Sequence, residues 1–327
     1  MGAVGLAFLV ALVLAPVLVR FAIGRNLLDV PNARSSHEVP TPRLGGLAVI
    51  AGVWAAAPFI SETFLFLAAA TLAGLVGVLD DFVDLPFWLK AAGQATVAFI
   101  LLFLAPPPIS LAAGPLWPVA LLFGVVWVVA LVNAYNFMDG IDGIAGGTAV
   151  LNALFLATLV GTTGLRACLA VLAAAVAGFL AWNISPARIF LGDSGSHFVG
   201  FFLGAVALYT EPVGEPGSPY GPYLAFLVAA AIFTPFLFDT AYTLVRRATA
   251  RKNIFAAHRE HVYQRITPDP ASHRQVSIVY FAFSALAGIA AVLASGGTLL
   301  LLLLASILIF GLCLIMASLP GIAAKRD

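Results

Sequence analysis

Three polar stretches that carry aspartate interrupt an otherwise oily sequence: VGVLDDFVDLPFWLK at 76–90, NAYNFMDGIDGIAGG at 133–147 and WNISPARIFLGDSGSHFVGFFLG at 182–204. Asp80 and Asp81 are adjacent carboxylates that repel one another and resist burial, so a membrane-edge pair needs a cation or a reason. Lys90 follows on the next segment as a counter-charge or a phosphate contact. Asp139 and Asp142 stand at i,i+3, which a helical turn places on one face. Gly140, Gly143, Gly146 and Gly147 follow them and would let backbone approach a ligand. Asn133 and Asn136 add short polar arms. Asp193 and Ser194 precede a helix whose N-terminus favours phosphate, and Asp193 is placed to hold a divalent ion beside it. Asn183 and Phe190 lie on the same loop. The plainer reading makes Asp142 and Asp193 helix N-caps. It leaves Asp139, Asn136 and the glycines without a role.

A fourth stretch, RRATARKNIFAAHREHVYQR at 246–265, is basic and carries His258, Arg259 and His261. Attraction to anionic lipid explains the charge. Histidines flanked by arginine also suit a pyrophosphate, and metal ligation is disfavoured because no third ligand stands at the right spacing. A weaker fifth stretch, PTPRLGG, puts Arg43, with His37 upstream, just before a helix that opens on glycines. Clustered carboxylates cannot hold an anion unaided. They can hold Mg2+, which prefers carboxylates and bridges phosphates. Carboxylates, Mg2+ and basic loops together describe a phosphoryl-transfer site.

The elements that must position these groups are membrane helices. The chain has 327 residues, 62% of them hydrophobic and only 9% charged, against about a quarter charged in soluble domains. A soluble fold cannot hide that much apolar surface, and the continuous runs exclude a barrel of short alternating strands. Apolar runs at about 2–22, 44–60, 63–79, 88–105, 116–134, 143–161, 166–183, 196–210, 222–245, 275–294 and 297–318 predict an all-α polytopic membrane protein with about 11 transmembrane helices. It reads as a single integral-membrane domain over 1–327, with 246–274 as its basic, His-containing loop. With the N-terminus outside and the C-terminus cytoplasmic, 15 of the 16 Lys and Arg fall inside, and only Arg166 falls outside. That is the positive-inside pattern. The inner set includes Arg34, Lys325 and Arg326. Asp80, Asp81, Asp84, Asp139, Asp142 and Asp193 share this inner face, while Glu62, Glu211 and Glu215 occupy outer turns. Cys168 and Cys313 lie in apolar runs and read as small packing residues.

The DD pair, NAYNFMDGIDG, LGDSGS and HREH, in this order and with PTPRLGG before them, resemble the polyprenyl-phosphate N-acetylhexosamine-1-phosphate transferase family, glycosyltransferase family 4. The resemblance implies that undecaprenyl phosphate attacks the β-phosphorus of a UDP-N-acetylhexosamine, releasing UMP and starting a cell-envelope polysaccharide. It implies Mg2+, with Mn2+ able to substitute, on Asp193 and Asp81. Asp80, Asp81, Asp193, Lys90 and His258 would form the catalytic set. Asn136, Asp139, Gly140, Asp142, Asn183, Phe190, Arg43, Arg259 and His261 would bind substrate, with Phe190 beside the uracil. It places the protein in the bacterial cytoplasmic (inner) membrane with its site facing the cytoplasm, among membrane lipids, and allows a homodimer. No nucleic-acid partner is expected. The HREHVYQR form is more similar to the O-antigen-initiating branch than to the histidine-richer phospho-MurNAc-pentapeptide transferase, which stays as an alternative. A secondary transporter is the rival of another class. It would want ionisable groups near the bilayer midplane and two repeated halves. A CDP-alcohol phosphotransferase would want an AR pair after DG, which IDGIAGG does not supply.

Overall fold

The computed structural model describes residues 1–31, 36–61, 63–214, 218, 220–254, 256, 258–267, 269–296 and 299–318. Arg34, Glu62, Glu215, Lys325 and Arg326, which entered the charge map, lie outside the described residues. The chain is an all-α polytopic membrane protein. Its helices are α1 Gly2–Arg25, α2 Gly45–Ala56, α3 Phe64–Val83, α4 Phe87–Leu104, α5 Pro108–Ala112, α6 Trp117–Met138, α7 Ile144–Leu159, α8 Thr163–Asn183, α9 Gly192–Ala207, α10 Gly221–Ala231, α11 Thr234–Thr249, α12 Val262–Arg265, α13 His273–Ser295 and α14 Leu299–Ser318. A short antiparallel ribbon pairs β1 Leu28–Asp29 with β2 Thr41–Pro42.

Each apolar run read from the sequence coincides with helix over most of its described residues. Among the described residues, 6 helices are long and apolar enough to cross a membrane, or 7 with the bent pair α10–α11 counted as one span. Gly45–Phe59, Ile144–Leu159 and Leu303–Met316 are apolar but shorter. The run at 222–245 is not one helix: α10 and α11 meet at an angle of 78°. Pro235, at the start of α11, gives the reason. It has no N–H for the preceding turn, and its ring clashes with the carbonyl four residues back.

Packing follows membrane logic, in which small residues face helices and large ones face lipid. Helix α1 buries Ala7, Ala11, Ala15 and Ala22 against α2 and α8, and exposes Leu9, Val13, Val17 and Phe21. At the centre stands α9, in which every residue from Ser194 to Ala207 is buried, packed by α2, α3 and α6. Its close approach to α2 and α3 needs glycine. A Cβ at Gly46 would collide with the Gly195 backbone, and one at Gly77 with the backbone of Asp193 and Ser194.

Candidate functional site

The sequence reading ended the third helix at residue 79. In the structure α3 runs on to Val83, so Asp80 and Asp81 sit in its last turn, both buried. Asp84 closes the helix in the left-handed conformation with φ 47, and Pro86 caps α4. This tight turn swings Lys90 back over the end of α3. Its Nζ donates to Asp80 Oδ2 at 2.6 Å, and the Leu85 N–H donates to Asp80 Oδ1 at 2.7 Å. Lys90 is therefore first a counter-charge.

Asp81 has a different task. Its carboxylate accepts the N–H of Asp193 at 3.4 Å and of Ser194 at 3.3 Å, capping α9 from another helix. Asp139 accepts the Gly192 N–H. The start of α9 is thus occupied by protein carboxylates, and the expectation of a free helix end for phosphate is corrected. Arg43 donates from Nη2 to the Asp81 carbonyl, with Nε 3.7 Å from Asp81 Oδ1. Arg43 is placed by a zipper between two loops. The Phe190 N–H donates to the Pro42 carbonyl at 2.7 Å, and Gly45 and Gly46 donate to the carbonyls of Phe190 and Leu191 at 2.9 and 2.7 Å. His37 lies edge-on to Phe190, with ring centroids 4.8 Å apart.

Asp193 does not cap α9; it lies in the first turn with no side-chain cap bond. Its carboxyl lies beside that of Asp80. Asn136 Nδ2 donates to Asp193 Oδ1 at 2.8 Å and to Ser196 Oγ at 3.2 Å. Asp193 was anticipated to pair with Asp81 on a metal; both Asp80 and Asp81 stand beside it. Among the described residues, no three His, Cys, Asp or Glu side chains are grouped so as to hold a metal ion.

Asp142 is not the cap of α7 either, since Gly143 takes that position with φ 76 and no side-chain cap bond. Asp142 Oδ2 accepts the Ala187 N–H at 3.1 Å, and Oδ1 lies 3.3 Å from Nδ1 of His273, the first residue of α13. Burial alone would raise the Asp142 carboxyl. The hydrogen bond and charge of His273, with the Ala187 N–H and the Ser185 hydroxyl, hold it below the ordinary range. Asp139 goes the other way: burial first, then the Asp81 carboxylate, push it well up. Asn183 is engaged as a brace, accepting from the Gly143 N–H at 3.1 Å and donating to the Ile189 carbonyl at 2.9 Å.

The glycines of the DGIDG stretch are explained by protein contacts. A Cβ at Gly140 would strike the Tyr263 hydroxyl, one at Gly146 Leu180, and one at Gly147 Phe281. Together Arg43, Asp81, Asn136, Asp139, Gly140, Asp142, Asn183, Phe190 and Asp193 line a polar cavity of about 260 Å3, with His37, Gln264 and His273.

A second cavity of about 900 Å3 runs between α4, α6 and α11. Its walls are apolar, including Ala95, Leu122, Val126, Ala130 and Ala241, and one end carries Lys90, Asn136, His258, His261 and Gln264. The basic stretch at 246–265 is partly self-neutralised. Glu260 is 2.6 Å from Arg247, 2.9 Å from Lys252 and 3.6 Å from Arg246. Arg259 is half-buried on the same loop and is not among the described residues that line either cavity. The rings of His258 and His261 stack with centroids 5.0 Å apart.

Burial, and next the neighbouring His261, lower His258 to about 4. At neutral pH His258 is therefore an uncharged ring, which would meet a phosphate through a hydrogen bond and not through charge. An unfolded histidine titrates at 6.5, so between pH 6.5 and about 4 the unfolded chain takes up the proton first and native stability falls as pH falls. The His258→Gln variant is expected to flatten the dependence of the melting temperature on pH across that window. Equal slopes in variant and wild type would refute the assignment.

His273 and Gln264 were not singled out from the sequence. The available signal was a histidine directly ahead of the apolar run at 275–294, in SHRQ, on the same face as the aspartates. Asp239, the one acid inside the run at 222–245, bonds to His261 and, among the described residues, to neither Arg246 nor Arg247.

Known proteins resemble this chain over most of its length. Residues 63–211 match the family model described as glycosyl transferase family 4. The chain is 32% identical to the undecaprenyl-phosphate alpha-N-acetylglucosaminyl 1-phosphate transferase of Thermotoga maritima, over 79% of each chain. It is 31% identical to the decaprenyl-phosphate N-acetylglucosaminephosphotransferase of Mycobacterium tuberculosis, over 77% of this chain and 71% of that one. With the Yersinia pestis undecaprenyl-phosphate alpha-N-acetylglucosaminyl 1-phosphate transferase the identity is 28%, over 90% of this chain and 86% of the other. An aspartate-lined polar pocket beside an apolar groove, matches over most of the chain and the family model together make this protein a transferase that belongs to glycosyl transferase family 4.

Proposed function

We propose that the chain transfers N-acetylglucosamine 1-phosphate from UDP-N-acetylglucosamine to undecaprenyl phosphate, releasing UMP, at the cytoplasmic face of the bacterial inner membrane. The observation that carries this reading is the junction of the two cavities: Asn136 and Gln264 line both. The polar cavity suits a nucleotide sugar, and the apolar groove suits a prenyl chain whose phosphate reaches the polar end at Lys90. The names of the relatives support both the sugar and the lipid. They favour this reading over phospho-MurNAc-pentapeptide transfer. Acids at helix ends, not at a midplane, favour an enzyme over a transporter.

An oxygen of the lipid phosphate attacks the β-phosphorus, a new P–O bond forms, and the old pyrophosphate bond breaks with its electron pair leaving on UMP. A phosphate monoester has a second pKa near 6, so the attacking group is already a dianion at neutral pH and needs little base. Asp80 and Asp81 then serve for positioning: Asp80 through Lys90, Asp81 through the start of α9. The residues fit Mg2+. Two adjacent carboxyls, Asp80 and Asp193, repel when both are ionised, and a hard cation that takes one or two carboxylates and completes its shell with phosphate and water satisfies such a pair. When bound, the ion would neutralise charge on the pyrophosphate. In this reading all eleven apolar runs cross or enter the bilayer, with the N-terminus outside.

The test is UMP release by the purified protein with undecaprenyl phosphate, Mg2+ and a panel of UDP-sugars. Release with UDP-N-acetylglucosamine, dependent on lipid and metal, is expected; none with any sugar would sink the reading. The groove has its own prediction. Ala130 lines it with an exposed side chain, so Ala130→Trp should raise KM for undecaprenyl phosphate by about tenfold, the loss of roughly two buried methylenes. KM for the UDP-sugar should stay unchanged.

A further inference from the structure

Asp239 stands in the second turn of α11 and is completely buried. A lone carboxylate there would cost several kcal/mol. Five donors surround this one. The Val262 and Tyr263 N–H groups donate at 2.9 and 3.0 Å, the Tyr280 hydroxyl at 2.6 Å and the Thr243 hydroxyl at 3.3 Å, while His261 Nδ1 lies at 3.1 Å. These donors come from α11, α13 and the loop that carries α12. The carboxylate therefore ties the loop to two membrane helices at once.

The loop is too short to hold itself. Helix α12 has only four residues, too few for isolated stability. Yet it supplies Gln264 to both cavities and follows His258 and His261, which line the apolar groove. Tyr263 donates to the Phe137 carbonyl at 3.0 Å, so the docked loop also touches the end of α6, next to Asn136. The contact with Asp239 also holds the His261 ring in one orientation, with its side chain accepting the Gln264 N–H in the capping box of α12.

We propose that Asp239 is a positioning residue of the transfer reaction, acting through His261: it fixes the ring's orientation where the two cavities join. The proposal rests on the transferase reading above.

The experiment is a double-mutant cycle on UMP release with Asp239→Asn and His261→Gln. Asparagine keeps the shape but replaces one acceptor with an amide that faces donors. Asp239→Asn is expected to lower kcat by about 10- to 100-fold, with KM for the UDP-sugar within about threefold. The double variant should be no slower than His261→Gln alone, since a residue that acts through another has nothing left to act on. Independent, multiplying losses would overturn the proposal, and so would an unchanged kcat. If Asp239→Asn does not purify folded, the cycle is run with Asp239→Glu, which keeps the charge and shifts it by one methylene, under the same two criteria. Wild type run alongside separates the two ideas. A wild type that releases no UMP counts against the reaction; an active wild type with additive variants counts against Asp239 alone.

Discussion

Asp193→Asn is expected to slow UMP release by about a thousandfold and to leave the melting temperature unchanged or slightly raised. The two halves of this expectation have separate causes. Asp193 and Asp80 are adjacent carboxyls, and replacing one with a neutral amide removes repulsion from a buried pair. Asn136 still finds an oxygen at the same place, so the start of α9 keeps its local bond. What the amide cannot do is bind a hard cation as a carboxylate does. The check is a rate in saturating Mg2+ beside a thermal melt. A variant with full activity and an unaltered metal requirement would remove Asp193 from the metal assignment.

Gly77→Val is expected to abolish both folding yield and activity. Any side chain at Gly77 meets the backbone of Asp193 and Ser194, which has nowhere to go. Helix α3 must then back away from α9. Overpacking of this kind costs about 1–3 kcal/mol and more where backbone is the obstacle. The site suffers beyond the energy, because Asp80 and Asp81 follow Gly77 within one turn while Asp193 stands on the opposing helix. Gly24→Ala, in α1 with nothing near its added methyl, is the matched control and should behave as wild type. Detergent-purified yield and melting temperature decide the comparison. A folded Gly77→Val with native rate would show that α3 and α9 need not touch.

Hydropathy made most of the helices legible, because lipid imposes long apolar runs regardless of neighbours. It also placed the aspartates at helix ends. The break between α10 and α11 was hidden inside one apolar run, where Pro235 was its one mark. The polar groups were legible as types but not as partners. Asp81 looks like a ligand in sequence, yet it caps a helix more than a hundred residues away. Asp239 looks like an isolated charge next to arginines; its partners are a histidine on the following loop and Tyr280 on α13. The glycines after Asp139 suggested a close ligand, and Tyr263, Leu180 and Phe281 fill that space instead. Pairing across helices depends on the angle at which each one crosses its neighbours, and no local pattern encodes that.

Leu122 and Val126 line the apolar groove and are 62% and 59% exposed. A groove with such a wall opens sideways, toward hydrocarbon. A prenyl acceptor entering there would travel in two dimensions and never dissolve in water. Its saturation would then follow the mole fraction of lipid in the bilayer or micelle. Diluting the assay with plain detergent at constant bulk lipid would lower the rate, while diluting with buffer would not.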